Sequence, residues 1–243
     1  PNIAPRVASP RLQSMELDLL RELNSLQQDE TAADAAVNAR IRSFETAFGM
    51  ESASPEAFDI TQEDAATLAL YGMQPSDRSG FGWQCLMARR MVEAGVPFVR
   101  VSRAWWDSHG QNFETHLEMV PELDRVLSAL IDDLKQRGML EDTLVVTMGE
   151  FGRTPKINGS LGRDHFATAW SASLHGGRTV PGAVYGKTDA YGNRVVEGEI
   201  GAGEMFATIL EAAGIDHTRE YHVGARPIPL VNPGIKPVTE VIA

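Results

Sequence analysis

Cysteine is almost missing from this chain. A single residue, Cys85, occurs in 243, which excludes an internal disulfide and any cysteine-rich zinc site. It says little about compartment, since many exported proteins also lack disulfides. Long apolar runs are missing too: none approaches the roughly 18–20 residues that a bilayer span needs, so no membrane span is expected. Positive charge is scarce. Lys and Arg number 22 against 33 Asp and Glu, a net charge of −11. A surface this acidic repels nucleic-acid phosphate unless it carries a basic patch. The nearest patch, Arg89-Arg90, is two residues long, so no nucleic-acid partner is expected. The chain opens Pro1-Asn2-Ile3 without an initiator Met or a signal peptide, so residue 1 need not be the natural start.

What is present is ordinary for a globular protein: 43% apolar and 23% charged residues. That content excludes a disordered chain. The length suits one large domain or two small ones, and there is no internal repeat. Leu19, Leu20, Leu23 and Leu26 recur at helical spacing. After Thr31, a plausible N-cap, Val37, Ile41, Phe44 and Phe48 form a second stripe closed by Gly49. Both stripes read as core packing. Ser52–Asp59 reads as a loop, Thr61–Tyr71 as a short helix ending at Gly72, and Gln74–Gly82 as a second break.

From Phe81 helices and strands alternate. Trp83–Glu93 predicts a helix stopped by Gly95, and Val96–Ser102 a strand. Phe113–Arg137 predicts a long amphipathic helix with Leu117, Val120, Leu123, Leu127, Leu130, Ile131 and Leu134 on one side. Thr143–Met148 predicts a strand buried on both faces, and Phe166–Leu174 another. Glu204–Ala213 predicts a helix, and the tail after Tyr221 an extended segment. The expected organisation is a helical segment over 1–80 and an α/β portion over 81–243, within one domain. Alternation with short connections implies a mostly parallel central sheet covered by helices. Ligands of such sheets bind beyond the carboxyl ends of the strands.

The residues after each strand are therefore the candidates. After Ser102 come Asp107 and His109, two apart on an extended segment and so on one side of it. They suit zinc or manganese; alone, so short a pair reads first as a turn cap beside a surface imidazole. After Met148 comes Gly149-Glu150-Phe151-Gly152-Arg153-Thr154-Pro155. A carboxylate there needs a metal or an Arg as partner. Arg153 is a fork of donors suited to phosphate or sulfate, or else half of an ion pair with Glu150. Asp164-His165 supplies another carboxylate–imidazole pair, with His165 as ligand and Asp164 as ligand or support. Together, Asp107, His109, Glu150, Asp164 and His165 would fill one divalent site and part of a second. Trp105 and Trp106 read either as walls of a pocket or as core. Asn112 reads as a cap of the long helix, Cys85 as core, His116, His217 and His222 as surface, and His175 as a residue at the same face as the candidate site.

These motifs resemble a known family. Trp-Asp-Ser-His-Gly-Gln-Asn (106–112), Gly-Glu-Phe-Gly-Arg-Thr-Pro (149–155) and Gly-Arg-Asp-His (162–165) are similar to an uncharacterised bacterial family. It is catalogued as domain of unknown function fifteen-oh-one, within the alkaline phosphatase/sulfatase superfamily. Residues 84–90, 184–189 and 224–229 share the resemblance, which spans most of the chain from about Ala57. It implies an alkaline phosphatase-like α/β fold and a metal-centred hydrolytic site, with Asp107, His109 and His165 on one metal and Glu150 on a second. Phe151 stands where the superfamily places a further His. The superfamily's early Asp and its nucleophile, carried by an N-terminal segment, have no match before Phe81. The expectation is thus the C-terminal half of a longer enzyme, or a shortened member, and no nucleophile is assigned among Ser108, Thr147 and Thr154.

The implied activity is hydrolysis of a small anionic phospho- or sulfo-ester with zinc, manganese or calcium, Arg153 stabilising charge on the transferred group. The rivals are a metal- or anion-binding protein without turnover and a relict structural member. The resemblance also implies an exported, extracytoplasmic location.

Overall fold

The computed structural model describes residues 57–243 and, before them, the helical positions Arg11, Leu12, Met15, Glu16, Asp18, Leu19, Leu20, Glu22, Leu23, Ala39, Arg40 and Ser43. Leu26, Thr31, Val37, Ile41, Phe44, Phe48, Gly49 and the loop positions 52–56 lie outside the described residues. Two compact units are present. One comprises Pro1–Glu63 and Arg90–Val99, the other Asp64–Arg89 and Arg100–Ala243.

In the first unit, Leu19, Leu20 and Leu23 are helical, as their spacing predicts. They are half exposed rather than packed in a core: the helical period is legible in sequence, the covering partner is not. A 3-10 turn, Ile60–Gln62, starts at Asp59, whose carboxylate accepts from the Thr61 amide at 3.0 Å and hydroxyl at 2.6 Å. Arg90 closes this region, donating from Nε to the Ala57 carbonyl at 2.8 Å and from Nη1 to Glu63. The strand predicted over 96–102 forms no ladder. Pro97 has no amide to donate, and Phe98 is exposed.

The second unit carries most of the regular structure. Helix α1 (Ala65–Leu70) begins at Asp64, whose side chain accepts from the Thr67 amide at 2.6 Å. Helix α2 (Phe81–Glu93) starts in this unit and ends in the first, with Cys85, Leu86, Met87 and Arg89 buried. Helix α3 (Asn112–Gln136) is the long helix of the sequence reading. Its buried residues are Asn112, Met119, Val126, Ala129, Asp133 and Leu134. Of the predicted apolar side, Leu134 is buried, while Leu117 and Val120 are exposed. The buried stripe instead steps by sevens through Met119, Val126 and Asp133. A carboxylate can stand in it because three donors meet there: Tyr71 Oη at 3.0 Å and Arg89 Nε at 2.8 Å on Oδ2, and Arg137 Nε at 2.6 Å on Oδ1. Burying an ion unpaired costs several kcal/mol, roughly, so this convergence is what permits it. Pro121 lies inside α3 and removes one amide donor from the ladder.

The strands are short. Strand β1 (Val145–Met148) pairs antiparallel with β4 (Ala172–His175), Val145 opposite His175 and Met148 opposite Ala172. Between them the chain makes a two-residue ribbon of β2 (Gly152–Arg153) and β3 (His165–Phe166). The single strand predicted over 166–174 is therefore two, separated by residues 167–171. Strands β5 (Lys187–Thr188) and β6 (Val195–Glu197) form a third pair, followed by helix α4 (Ala202–Ala212). Strands β7 (Glu220–Val223) and β8 (Arg226–Pro229) form a hairpin where the sequence predicts an extended tail. All four sheets have two strands and all pairs are antiparallel, so the parallel central sheet expected from the alternation is not among the pairings of the described residues. Every candidate ligand lies either in the excursion between β1 and β4 or in the segment that leads into α3.

Candidate metal centre

Asp107 and His109 reach the site from the segment before α3, and His165 from β3. The Asp107 Oδ1 lies 3.0 Å from His109 Nε2 and 3.1 Å from His165 Nε2, and the two Nε2 atoms are 3.1 Å apart. These three residues form a group able to offer one ligand atom each. All three side chains are about half exposed, so an ion could reach them from solvent.

The local chemistry sets the tautomer of one ring. His109 Nδ1 is 3.1 Å from Asp164 Oδ1; a carboxylate only accepts, so this contact favours a proton on Nδ1, and a neutral ring so oriented would turn the Nε2 lone pair to an ion at the triangle. That is the carboxylate–histidine arrangement typical beside bound metals. Asp164 is itself held by the Asn158 side-chain amide at 3.0 Å, and the same nitrogen donates to the His109 carbonyl at 3.0 Å. The Asn158 oxygen accepts from the amides of Ser160 and Gly162. Thr154 adds to the frame: its amide donates to the Asp164 carbonyl and its hydroxyl accepts from the Asp164 amide at 3.1 Å. The Arg163 guanidinium donates to the Thr154 and Pro155 carbonyls, and its amide donates to the Ser108 carbonyl.

Arg153 Nη1 donates to Asp107, and Nη2 lies 3.4 Å from Glu150 Oε1. Hydrogen bonding from Arg153, and after it from His165, holds the Asp107 carboxyl below its usual range. The Asp164 carboxyl is likewise lowered, first by His109 and then by Asn158. Glu150 does not join the triangle; among the described contacts it meets Arg153, and its side chain is largely exposed. The Phe151 ring packs 4.4 Å from the His165 ring, centre to centre, and the Arg153 guanidinium lies 5.4 Å from the Phe151 ring centre. Phe151 thus supports one candidate ligand and the cation beside another.

Three non-glycine residues have a left-handed backbone among the described residues: Trp105 (φ 78°), Gln111 (φ 50°) and Leu161 (φ 59°). They lie two residues before Asp107, two after His109 and four before His165. Such conformations are costly and concentrate at functional sites.

Five sequence candidates therefore fall into three roles. Asp107, His109 and His165 converge, Asp164 supports His109, and Glu150 pairs with Arg153. Thr154 and Gly162 stand in the quoted motifs without the framing role the structure gives them, and Asn158 was not singled out at all, since a lone Asn in a glycine-rich loop gives no signal by itself. Asn112 does not cap α3. It is buried and its Oδ1 accepts from the Ser108 hydroxyl at 2.8 Å, while Gln111 occupies the N-cap with no side-chain cap bond. His116 is tied down, Nδ1 to the Asn112 carbonyl at 2.7 Å and its ring edge-on to Trp106 at 5.4 Å. His175 bonds Ser173 on β4 at 3.1 Å. His217, read as surface, meets Glu211 at 2.5 Å and is mostly buried; with Asp216 these form a second cluster at the end of α4.

A family profile described as Protein of unknown function (DUF1501) matches residues 3–242. The chain belongs to this family. DUF1501 carries no activity in its description, and no curated protein and no solved structure matches the chain. Among the described residues no helix is long and apolar enough to cross a membrane.

Proposed function

We propose that this DUF1501 chain binds a divalent metal, zinc in preference to calcium, through Asp107, His109 and His165, and belongs to a phospho- or sulfo-ester hydrolase of alkaline phosphatase-like fold. The observation that carries the reading is the triangle of ligand atoms, 3.0–3.1 Å on each side. Ligands of a tetrahedral zinc, with bonds of about 2.0–2.1 Å, stand roughly 3.3 Å apart. Calcium, with bonds of about 2.3–2.6 Å but more ligands at smaller angles, spaces its neighbours by a similar distance, so the spacing fits either ion. The donor set makes the choice, since two imidazoles and one carboxylate suit zinc and calcium takes oxygen ligands.

When bound, such an ion would polarise a phosphoryl or sulfuryl oxygen and lower the pKa of a water. The chain's own groups do the rest. Asp164 keeps His109 in the ligating tautomer. Asn158 keeps Asp164 in place. Phe151 excludes water from one side of the His165 ring. Arg153 is the donor fork at the site, suited to the charge on a transferred phosphoryl or sulfuryl group.

A second reading, metal and anion binding without turnover, is favoured by the state of the nearby hydroxyls. Ser108 is buried and donates to Asn112, and Thr154 donates to the Lys156 carbonyl at 2.9 Å. Neither is offered to the triangle as a nucleophile.

The test is metal content by mass spectrometry on the purified chain and on His165→Ala, followed by assay of aryl phosphate and aryl sulfate cleavage. Near-stoichiometric zinc, lost in the variant, supports the centre, and turnover then separates hydrolase from binding protein. A folded chain that takes up no ion on incubation with zinc, manganese or calcium would sink the metal reading.

A further inference from the structure

Asn-Gly occurs once in the chain, at Asn158-Gly159. At such a pair an asparagine loses its side-chain amide most readily, because glycine has no side chain to keep its own backbone nitrogen from the neighbouring Cγ. The fold leaves that reaction open. The Gly159 amide has no acceptor among the described residues, so nothing ties up the attacking nitrogen. Gly159 is exposed, and a Cβ added to it meets no atom within 4 Å. The carbonyl under attack is also polarised: Asn158 Oδ1 accepts from the Ser160 amide at 3.0 Å and the Gly162 amide at 2.9 Å. Two backbone donors at that distance on one oxygen are suited to the oxyanion of a tetrahedral intermediate.

We propose that Asn158 is a deamidation site, and that its conversion to a carboxylate unlatches the candidate centre. The Gly159 nitrogen bonds to Asn158 Cγ, and the Cγ–Nδ2 bond breaks. Nδ2 leaves as ammonia, taking up through water the proton that the Gly159 amide gives up. Water is the co-reactant: it opens the resulting succinimide at either carbonyl, giving aspartate or isoaspartate at position 158.

The product reverses the hydrogen bonding at the site. Asn158 Nδ2 donates to the Asp164 carboxylate and to the His109 carbonyl, each at 3.0 Å. A carboxylate oxygen in its place only accepts, so it faces two acceptors, one of them charged. Like charges at that distance repel, and Asp164 is driven off His109 Nδ1. Isoaspartate also lengthens the main chain leading to Gly162, which lies against the His109 backbone. The chemical step stands without a metal; its effect on zinc rests on the metal-centre reading above.

The folded full chain is incubated at mildly alkaline pH in water enriched in heavy oxygen, beside a synthetic peptide of residues 157–163. Trypsin, cutting after Lys156 and Arg163, releases that same peptide from the chain, and its mass and retention separate asparagine, aspartate and isoaspartate. The expected result is conversion of Asn158 in the folded chain on the time scale of the free peptide, ahead of Asn112 and Asn193, with solvent oxygen incorporated. Zinc affinity from chelator competition should fall with it by about ten- to a hundredfold, as when a partner beside a ligand is lost. Asn158→Asp should show the same fall without incubation. Gly159→Ala, which the open position accommodates, should lose the conversion and keep the affinity. Asn158 intact in the folded chain after the peptide has converted overturns the proposal, as does a folded Asn158→Asp chain that binds zinc as tightly as the unmodified one. An unmodified chain that binds no zinc overturns the metal-centre reading instead. The unlatching is then read from the thermal midpoint, which conversion lowers; a midpoint left unchanged overturns the proposal as well.

Discussion

A Cβ placed on Gly162 would stand 1.9 Å from the carbonyl carbon of His109 and 2.0 Å from its oxygen. The loop before β3 therefore lies directly on the backbone of a candidate ligand, with no room for any side chain. The two segments are joined there by the bridge between Gly110 and Leu161 and by the bond from the Arg163 amide to the Ser108 carbonyl. Gly162→Ala must push them apart. We expect a loss of about 2 kcal/mol, in the range of overpacking substitutions, seen as a lower midpoint in thermal unfolding. Zinc uptake should fall with it, because His109 and His165 sit on opposite sides of the contact.

Asp164→Asn tests the support of His109 with little change of shape. An amide can still accept from Nδ1 but no longer with a full negative charge. Removing such a partner typically lowers metal affinity ten- to a hundredfold, roughly. Zinc affinity from competition with a chromogenic chelator should drop by that order while the circular dichroism spectrum stays the same. An unchanged affinity would mean Asp164 does not set the ring.

Asp133→Ala should be the most damaging change away from the site. It leaves Arg89, whose side chain is fully buried, without this carboxylate and removes the acceptor of Tyr71. Breaking a buried ion pair from one side costs about 3–5 kcal/mol. Urea unfolding should show the midpoint shift at unchanged slope.

Burial pushes the Cys85 thiol up to about 12, against roughly 8.5 for an exposed thiol. Tyr71 is shifted in the same direction, by burial and then by the Asp133 charge. For groups whose folded value is raised, the unfolded chain gives up its protons first as pH rises. Their contribution is complete below the unfolded values and declines above them, so stability should fall as pH is raised from about 8.5. Below that pH, iodoacetamide should modify Cys85 only on unfolding. Fast labelling of the folded chain at pH 8 would contradict the burial.

The sequence was most informative where chemistry and spacing coincide. Asp107-x-His109 and Asp164-His165 could be singled out because they recur, with Glu150, around predicted strands; each alone has an ordinary reading, and only the three segments together point to an ion. Helices α2, α3 and α4 were legible from their apolar period. What could not be read was pairing. Thr143–Met148 looks the same whether its partner is parallel or antiparallel, and the structure joins it to Ala172–His175 by a hairpin-like excursion. The buried face of α3 was misplaced because only its apolar residues were used to find it, and Asp133 is not one of them. Only the arrival of Tyr71 and Arg89, both distant in sequence, beside Arg137 one turn on makes it interior. Asn158 was invisible for the same reason: its value lies in touching His109 and Asp164 at once.

Pro121 gives α3 a joint. Leu117, one turn earlier, loses the amide that would have closed its carbonyl into the ladder. On one side of the joint is Asn112, tied to Ser108 within the segment that carries Asp107 and His109. On the other is Asp133, fixed by three donors. Two stretches of one rod are thus anchored to different things, the first to the candidate centre and the second to the interior. Amide hydrogen exchange along α3 should then be stepped rather than graded, with slow exchange after the proline and faster exchange before it. On the proposed metal reading, the segment leading into α3 would then close around an ion while the stretch after Pro121 keeps its anchors at Asp133.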